Sequence, residues 1–234
     1  MNSESLVKVS DRAAGLLRDS LVCDMTLPWG VGYQNQDTIL PEFQRGGVNF
    51  ISLTVGVDRM SRVETVRHIA AQRNRIIRDW ADSCHFVESV DDIIGAQKAG
   101  KLAVGFHFQG SNPLDGDINM VEFYYKLGIR HMLFAYNQRN RACDGCHELS
   151  DGGLSRFGLR LVEEMNRFGM IVDGTHCGYR SSMEMMETST APAVFSHSNV
   201  MTIRNHARNL RDDQIKACSE TGGFVGINGV GHFL

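Results

Sequence analysis

Residues Met170–Asn199, which read MIVDGTHCGYRSSMEMMETSTAPAVFSHSN, show most clearly how the chain folds. An apolar run, Met170–Thr175, is followed by a segment of helical character, Ser181–Thr188, and by a second apolar run, Ala193–His197. Both apolar runs are continuous rather than alternating, which is typical of parallel strands covered by helices. The stretch is therefore interpreted as a strand, a helix and a second, parallel strand.

The same alternation continues along the rest of the chain. Further strand candidates are Leu21–Thr26, Val48–Val55, Leu102–Phe108, Arg130–Tyr136 and Phe224–Asn228. Helical patterns separate them at Arg59–Cys84, Val90–Ala99, Met120–Lys126, Leu154–Phe168 and Asp212–Thr221. This order predicts an α/β fold, and short connections favour a (β/α)8 TIM barrel. A doubly wound sheet is disfavoured because the segment after the first strand, DMTLPWGVGYQN, lacks a G-x-G-x-x-G phosphate turn.

Length and charge limit the kind of protein this is. The chain has 234 residues and a formal net charge of −3, and no linker divides it, so we expect a single domain over residues 1–234. No basic patch points to a nucleic acid or an anionic membrane. No stretch approaches the roughly 18–20 apolar residues that span a bilayer, and no signal peptide is visible. We therefore expect a cytoplasmic protein.

Six cysteines are present, and free thiols are expected in a chain of this kind. Cys143, Cys146 and His147 form CDGCH, which matches the haem-attachment pattern C-x-x-C-H. Haem attachment needs export, for which no signal is visible, so a plain loop is preferred and a local metal clip stays open.

Polar side chains collect where the predicted strands end, which is where (β/α)8 barrels carry their active sites. The main ones are Asp24, Thr26, His107, Gln109, Tyr136, Asn137, Asp173, His176, Ser196 and His197. His176 and His197 follow successive strands, so their imidazoles could converge on one metal ion with a water as nucleophile. The alternative is that each histidine is a hydrogen-bonded loop residue.

Arg208 lies in the segment HARNLRDD that follows the strand of His197. A guanidinium here could bind a substrate carboxylate with two parallel hydrogen bonds. It could equally form a salt bridge with Asp212 or Asp213, since acidic residues are favoured at a helix start.

Three segments, VDGTHCG, APAVFSHSN and NHARNLRDDQIKACSETGGFVGIN, resemble the renal (membrane) dipeptidase family of zinc peptidases, family M19. LGIRHMLFAYNQRN is similar to another segment of that family. The resemblance implies a barrel of the metal-dependent hydrolase type, a two-zinc site and hydrolysis of dipeptides. It places His176 and His197 on metal ligands and Arg208 on the residue that binds the substrate carboxylate.

The chain departs from the family pattern at several of its site positions. Thr26 and Pro28 stand where the family has the His-x-Asp ligands, and Gln109 replaces a glutamate that bridges two metals. Because a neutral amide is a poor bridge between cations, we expect one zinc ion rather than two. A site that binds no metal is the alternative. Tyr136 stands at a substrate-binding histidine, so Tyr136 and Gln109 are expected to contact substrate.

The family continues to an eighth strand and an acidic catalytic residue, whereas this sequence ends at Leu234. We therefore expect a truncated barrel that lacks its last strand and helix, with the catalytic acid beyond Leu234. Exposed sheet edges favour pairing between chains, so a homodimer is one expected assembly.

Three functions follow from these patterns. The first is a dipeptidase-like metallohydrolase that cleaves dipeptides or related amides with a zinc-activated water. The second is a divergent relative that binds a small amide or carboxylate ligand without peptidase activity, which the changes at Thr26, Pro28 and Gln109 favour. The third is a role in protein interaction through the open barrel edge.

Overall fold

The computed structural model describes residues 9–29 and 36–234. In these ranges eight strands form one sheet. They are β1 Cys23–Leu27, β2 Phe50–Val57, β3 Cys84–Phe86, β4 Leu102–Gln109, β5 Ile129–Leu133, β6 Ile171–Asp173, β7 Ala193–Ser198 and β8 Val225–Ile227. The helices are α1 Asp11–Asp19, α2 Gln36–Arg45, α3 Arg62–Asn74, α4 Val90–Lys98, α5 Met120–Lys126, α6 Arg156–Phe168, α7 Tyr179–Thr188 and α8 Asp212–Glu220.

The sheet has the order β1-β2-β4-β5-β6-β7-β8, and each neighbouring pair is parallel. The short strand β3 pairs with the start of β4 outside this path. The sheet curls until β1 approaches β7, where Thr26 Oγ1 donates a hydrogen bond to Ser196 Oγ at 3.3 Å. The predicted (β/α) barrel is confirmed as a parallel sheet that is nearly closed.

Alternation along β4 separates the outer core from the barrel interior. Phe106 and Phe108 are fully buried, and Phe108 packs edge-on against Tyr124 of α5 with ring centroids 4.8 Å apart. His107 and Gln109 point to the opposite face, because successive side chains of a strand alternate. The helices thus cover an apolar layer, while β4 presents polar side chains to the interior and to the carboxyl end of the barrel.

Helix α6 shows how the sequence fixes the outer layer. Ser155 caps its first turn by accepting a hydrogen bond from the Gly158 amide at 3.0 Å. The helix ends at Gly169, whose φ of 76° is left-handed and favours glycine. Leu161 and Met165 of the predicted apolar face are buried, together with Gly158 and Val162. The other predicted residues of that face, Leu154, Phe157 and Phe168, are partly buried against the same core.

One predicted element is wrong in extent. Arg59–Cys84 was expected to form a single helix, but α3 ends at Asn74 and passes into a π-helical turn, Arg75–Asp79. Trp80 follows this turn and packs edge-on against Trp29 at 6.0 Å. Cys84 then begins β3 and pairs with Leu102, so pairing with β4 overrides the helical pattern.

None of the helices in the described ranges combines the length and apolar character that crossing a bilayer requires.

Candidate metal and substrate site

A cavity of about 1110 Å³ opens at the carboxyl ends of the strands and is called the strand-end cavity. All five residues predicted to bind metal or substrate line it, namely Gln109, Tyr136, His176, His197 and Arg208. They come from four different strand ends and from the segment after β7, so the barrel topology brings together residues that lie up to about a hundred positions apart.

The two predicted metal ligands face each other across this cavity. The Nε2 atoms of His176 and His197 are 3.0 Å apart. His176 is only 7% exposed and has a φ of 70°, which is uncommon for a residue other than glycine. Its carbonyl oxygen accepts a hydrogen bond from the Cys146 amide at 2.9 Å, so the loop before α6 holds this unusual backbone in place.

The second nitrogen of each imidazole is also bound. His176 Nδ1 lies 2.6 Å from Asn137 Oδ1, and His197 Nδ1 lies 2.8 Å from Ser196 Oγ. An amide oxygen only accepts, so His176 carries its proton on Nδ1 and directs the lone pair of Nε2 at His197. This arrangement orients an imidazole as metal-binding proteins do.

Both imidazoles are neutral at neutral pH. Burial is the main cause that lowers the pKa of His176 well below its ordinary value, and Arg208 adds to it. Burial also lowers the pKa of His197 to about 3, against an opposing effect of the Asp173 carboxylate. A neutral imidazole with a free lone pair is the form that binds a metal.

These residues fit one metal ion in part. Zinc–nitrogen bonds are about 2.0–2.1 Å long, so nitrogens 3.0 Å apart are close enough to bind the same ion. Within the described part of the chain, no set of three or more His, Cys, Asp or Glu side chains is arranged to hold a metal. Two imidazoles therefore fit as ligands of a single ion, and the anionic bridge that a second ion requires is absent from these residues.

Gln109 and Thr26 occupy positions where the resemblance implies metal ligands, a glutamate and a histidine, and both make hydrogen bonds instead. Gln109 Nε2 donates to Thr54 Oγ1 at 2.9 Å, and Thr26 Oγ1 donates to Ser196 Oγ. Pro28 follows the end of β1 and lies at the rim of the cavity. Asp24 also lines the cavity, where its Oδ1 accepts from the Thr26 amide at 2.9 Å.

Arg208 is a buried cation without a carboxylate partner among the described residues. It is 4% exposed, its Nη2 donates to the His197 carbonyl at 3.1 Å, and its Nε has no hydrogen-bond partner. Burial is the main cause that lowers its pKa. The alternative salt bridge at the start of α8 is not formed, because Asp213 accepts from Tyr179 Oη and Asp212 from Thr202 Oγ1.

Tyr136 lies at the mouth of the cavity. Its side chain is 45% exposed, and its ring stacks on His176 with centroids 4.3 Å apart and planes inclined by 25°. Its amide donates to Asp58 Oδ2 at 2.9 Å, which fixes the end of β5. Tyr136 therefore covers one face of the His176 imidazole and still offers its hydroxyl to a ligand.

The CDGCH segment forms a loop that supports His176. Cys143 is buried with its Sγ 3.7 Å from Cys177 Sγ, and burial is the main cause that raises the pKa of Cys143 well above its ordinary value. Gly145 forms an isolated antiparallel bridge with Cys177. The segment therefore forms a loop, as preferred from the sequence, and this loop packs directly against the turn that carries His176.

The fold and this cavity define a class of protein, the (β/α) barrels of the metal-dependent hydrolase type. The sequence profile of the membrane dipeptidases, peptidase family M19, matches residues 18–234, and the chain belongs to that family. The resemblance stated from the sequence motifs is thereby confirmed.

Individual relatives agree with this assignment. The chain is 31% identical over 180 residues to an uncharacterised dipeptidase of Schizosaccharomyces pombe, covering 75% of this chain and 42% of that protein. It is 28% identical over 156 residues to the dipeptidase tcpJ of Claviceps purpurea, covering 66% of this chain and 37% of that protein. The chain thus spans less than half the length of these two curated relatives.

Solved structures share the fold. An amidohydrolase from Pseudomonas aeruginosa superposes with a TM-score of 0.83 at 34% identity, covering 92% of this chain and 64% of that one. A metallopeptidase from Rhodobacter sphaeroides, solved with a phosphinate mimic of the dipeptide L-Ala-D-Ala, superposes with a TM-score of 0.79 at 18% identity, covering 92% of this chain and 76% of that one.

Proposed function

We propose that this chain forms the site of a dipeptidase-like metallohydrolase that acts on dipeptides or related small amides. The observation that carries the proposal is the coexistence, in one cavity, of two neutral imidazoles facing each other at 3.0 Å and a buried guanidinium without a carboxylate partner. An unpaired buried cation is costly unless a ligand neutralises it, so Arg208 is suited to a substrate carboxylate.

In this proposal each side chain has a separate task. Arg208 binds the carboxylate of the substrate and thereby sets its position in the cavity. Tyr136 and Gln109 contact the remainder of the substrate, since both line the cavity and Gln109 keeps one amide hydrogen and its carbonyl oxygen free of the bond to Thr54.

His176 and His197 would hold one zinc ion, which supplies a Lewis acid and an activated water when bound. Asn137 and Ser196 keep the two imidazoles oriented through their Nδ1 atoms. Zinc rather than another metal is proposed because imidazole nitrogen is a preferred ligand of that ion. The acidic residue expected to act beside the water stays a prediction, and no described residue is assigned to it.

A second function is favoured by one specific observation. Gln109 presents a neutral amide to the cavity where the family resemblance implies a metal-bridging carboxylate. A relative that binds a carboxylate-bearing amide without cleaving it would need Arg208 and Tyr136 but no bridging anion. The two candidate functions therefore involve the same class of ligand, but only the first includes hydrolysis of that ligand.

A dipeptide library assayed with and without added zinc distinguishes the two functions. The first predicts hydrolysis that a chelator abolishes and added zinc restores, and that His176→Ala removes. The second predicts binding, measured calorimetrically, without hydrolysis. Neither binding nor hydrolysis of any carboxylate-bearing dipeptide would contradict both proposals.

The remaining expectations stay predictions. They are the interaction role through an open sheet edge, the homodimer, the cytoplasmic location and the single-domain organisation. Light scattering on the eluate of a size-exclusion column tests the homodimer directly, since it yields the mass of the assembly.

A further inference from the structure

Asp173, the last residue of β6, ties together the two strand ends that carry the histidines. It is fully buried, with 0% exposure. Its Oδ1 accepts hydrogen bonds from the Thr175 amide at 3.0 Å and from the Ser196 amide at 3.2 Å. Thr175 directly precedes His176 and Ser196 directly precedes His197, so one carboxylate oxygen holds both segments.

The other oxygen of Asp173 has no hydrogen-bond partner. Oδ2 lies 3.8 Å from His131 Nε2, which also lacks a partner. Burial lowers the pKa of His131 to about 4, so this imidazole is neutral at neutral pH and does not cancel the carboxylate charge. The ring of His131 stacks on that of His107, with centroids 4.4 Å apart and planes inclined by 8°.

His107 does not supply a positive charge either. Its Nδ1 and Nε2 are bound by the hydroxyls of Ser52 at 3.0 Å and Thr54 at 2.9 Å. Burial lowers the pKa of His107 well below its ordinary value. The two imidazoles next to Asp173 therefore supply no positive charge, and no Lys or Arg in the described ranges forms an ion pair with its carboxylate.

A buried, unpaired charge is unfavourable unless a nearby charge of opposite sign compensates it. Because Oδ1 of Asp173 binds the residues directly before His176 and His197, a cation held by these two histidines would lie in the field of this carboxylate. At the positions where the resemblance implies further metal ligands, Thr26, Pro28 and Gln109 are neutral, and the Asp24 carboxylate in the cavity lining accepts a hydrogen bond from the Thr26 amide.

We propose that Asp173 is a positioning residue that aligns His176 and His197 and supplies, without contacting the metal, the negative charge that balances one cation between them. The inference rests on the proposed function, in which these histidines hold a metal. It differs from a purely structural role, in which only the hydrogen bonds of Oδ1 matter.

The variant Asp173→Asn separates these roles, because an asparagine oxygen can still accept both amide hydrogens while the charge is removed. Zinc alone is titrated calorimetrically into the unaltered chain, Asp173→Asn, His176→Ala and the control Asp117→Asn. Asp117 carries the same charge outside the cavity lining. We expect zinc affinity to fall about 10–100-fold in Asp173→Asn, to be unchanged in Asp117→Asn and to be lost in His176→Ala.

Binding of a ligand with the opposite charge distinguishes an electrostatic role of Asp173 from a purely structural one. Binding of an N-acetylated amino acid, which is an anion, is measured on the zinc-free proteins. Loss of the Asp173 charge should leave this binding unchanged or strengthen it, because Arg208 then attracts anions more strongly. Parallel loss of zinc and anion binding would assign Asp173 a structural role and overturn the inference.

The remaining outcomes are equally decisive. Equal zinc affinity in the unaltered chain and Asp173→Asn would overturn the inference and leave the proposed function intact. Absence of zinc binding by the unaltered chain would contradict the inference and the metallohydrolase proposal, and would leave only the candidate that binds its ligand without cleaving it. If Asp173→Asn does not fold, His131→Gln replaces it, since the new amide can donate to Oδ2 and should weaken zinc binding by a smaller factor. Unchanged affinity in that variant would also count against the inference.

Discussion

His176 Nε2 lies 3.0 Å from His197 Nε2, although the two residues come from different strand ends. Two neutral imidazoles at this distance either share one proton or direct two lone pairs at a common cation. The proton on Nδ1 of His176, which Asn137 accepts, leaves the Nε2 lone pair of His176 available to bind a metal. The relationship between these residues is the basis of the functional proposal, and four predictions extend it to their neighbours.

Arg208 is expected to determine the preference for a substrate carboxylate. Arg208→Ala removes a charge-assisted bidentate contact worth about 1.5–3 kcal/mol, so kcat/KM or binding affinity should fall roughly 10–100-fold. The loss should disappear when the substrate is a dipeptide amide without the carboxylate. The control is Arg211→Ala, because that exposed arginine stacks on Tyr179 at 4.3 Å. Equal losses for the acid and the amide would refute the assignment.

Asn137 is expected to orient His176 for metal binding. Its backbone has a φ of 64°, so Asn137→Gly preserves the conformation while removing the acceptor of the 2.6 Å bond to His176 Nδ1. Zinc affinity should fall about 10–100-fold, whereas Gln138→Ala, one residue along, should have little effect. Calorimetric titration measures both, and unchanged affinity in Asn137→Gly would show that the bond does not matter.

Gly145 is expected to tolerate no side chain. A Cβ at this position would overlap the backbone carbonyl of Asn137 and the amide of Gln138. Gly145→Ala should therefore displace the loop beneath His176 and lower both the melting temperature and the zinc affinity. Gly95 is a matched control in α4, where a Cβ meets nothing within 4 Å. Gly95→Ala should stabilise the chain by about 0.5–1 kcal/mol. The prediction fails if both variants melt alike.

The buried histidines should make stability depend on pH. Burial lowers the pKa of His131 from 6.5 to about 4 in the folded chain. Between pH 6.5 and pH 4 the unfolded state binds the proton and the folded state does not. The free energy of unfolding is therefore highest above about pH 6.5 and decreases as the pH falls towards 4. His131 alone should contribute a loss on the order of 2 kcal/mol between about pH 7.5 and about pH 5.

Urea denaturation at these two pH values measures the effect. His131→Gln has no titrating group and should lose about 2 kcal/mol less on acidification than the unaltered chain. His85 offers a control, because it is an exposed histidine on β3 whose charged partner, Asp92, lies at the surface, and His85→Gln should retain most of the pH dependence. Parallel behaviour of all three proteins would contradict a neutral, buried His131.

The sheet could be predicted because its central strands are buried and read as continuous apolar runs. Each of the seven predicted strands overlaps an observed strand, and β6 and β7 fall within Met170–Thr175 and close to Ala193–His197. Strand β3 has only three residues and was hidden in a helical pattern, since its pairing with Leu102 is a tertiary effect. Helices α1 and α2 were not predicted either. Helix α1 has no buried residue that would mark a core position, and α2 contains Pro41, a residue that is uncommon inside helices.

The location of the candidate site could be predicted, but the hydrogen bonds that hold its two histidines could be predicted only in part. Strand-end position identified the neighbourhood of His176 and His197, because parallel strands end at one edge of a barrel. Asn137 and Asp173 were also strand-end residues, but their bonds to Nδ1 and to two amides depend on loop geometry and register. The signal that could have pointed to Asn137 is its residue type, since asparagine tolerates the left-handed backbone found there.

Anomalous diffraction from crystals of the 234-residue chain grown with zinc tests the central claim most directly. The account predicts a single strong peak at the zinc edge, about 2.0–2.1 Å from both Nε2 atoms of His176 and His197. The peak should be absent from crystals of His176→Ala grown in the same way. Zinc bound by other residues, or a strand-end cavity without a peak at saturating zinc, would contradict the claim.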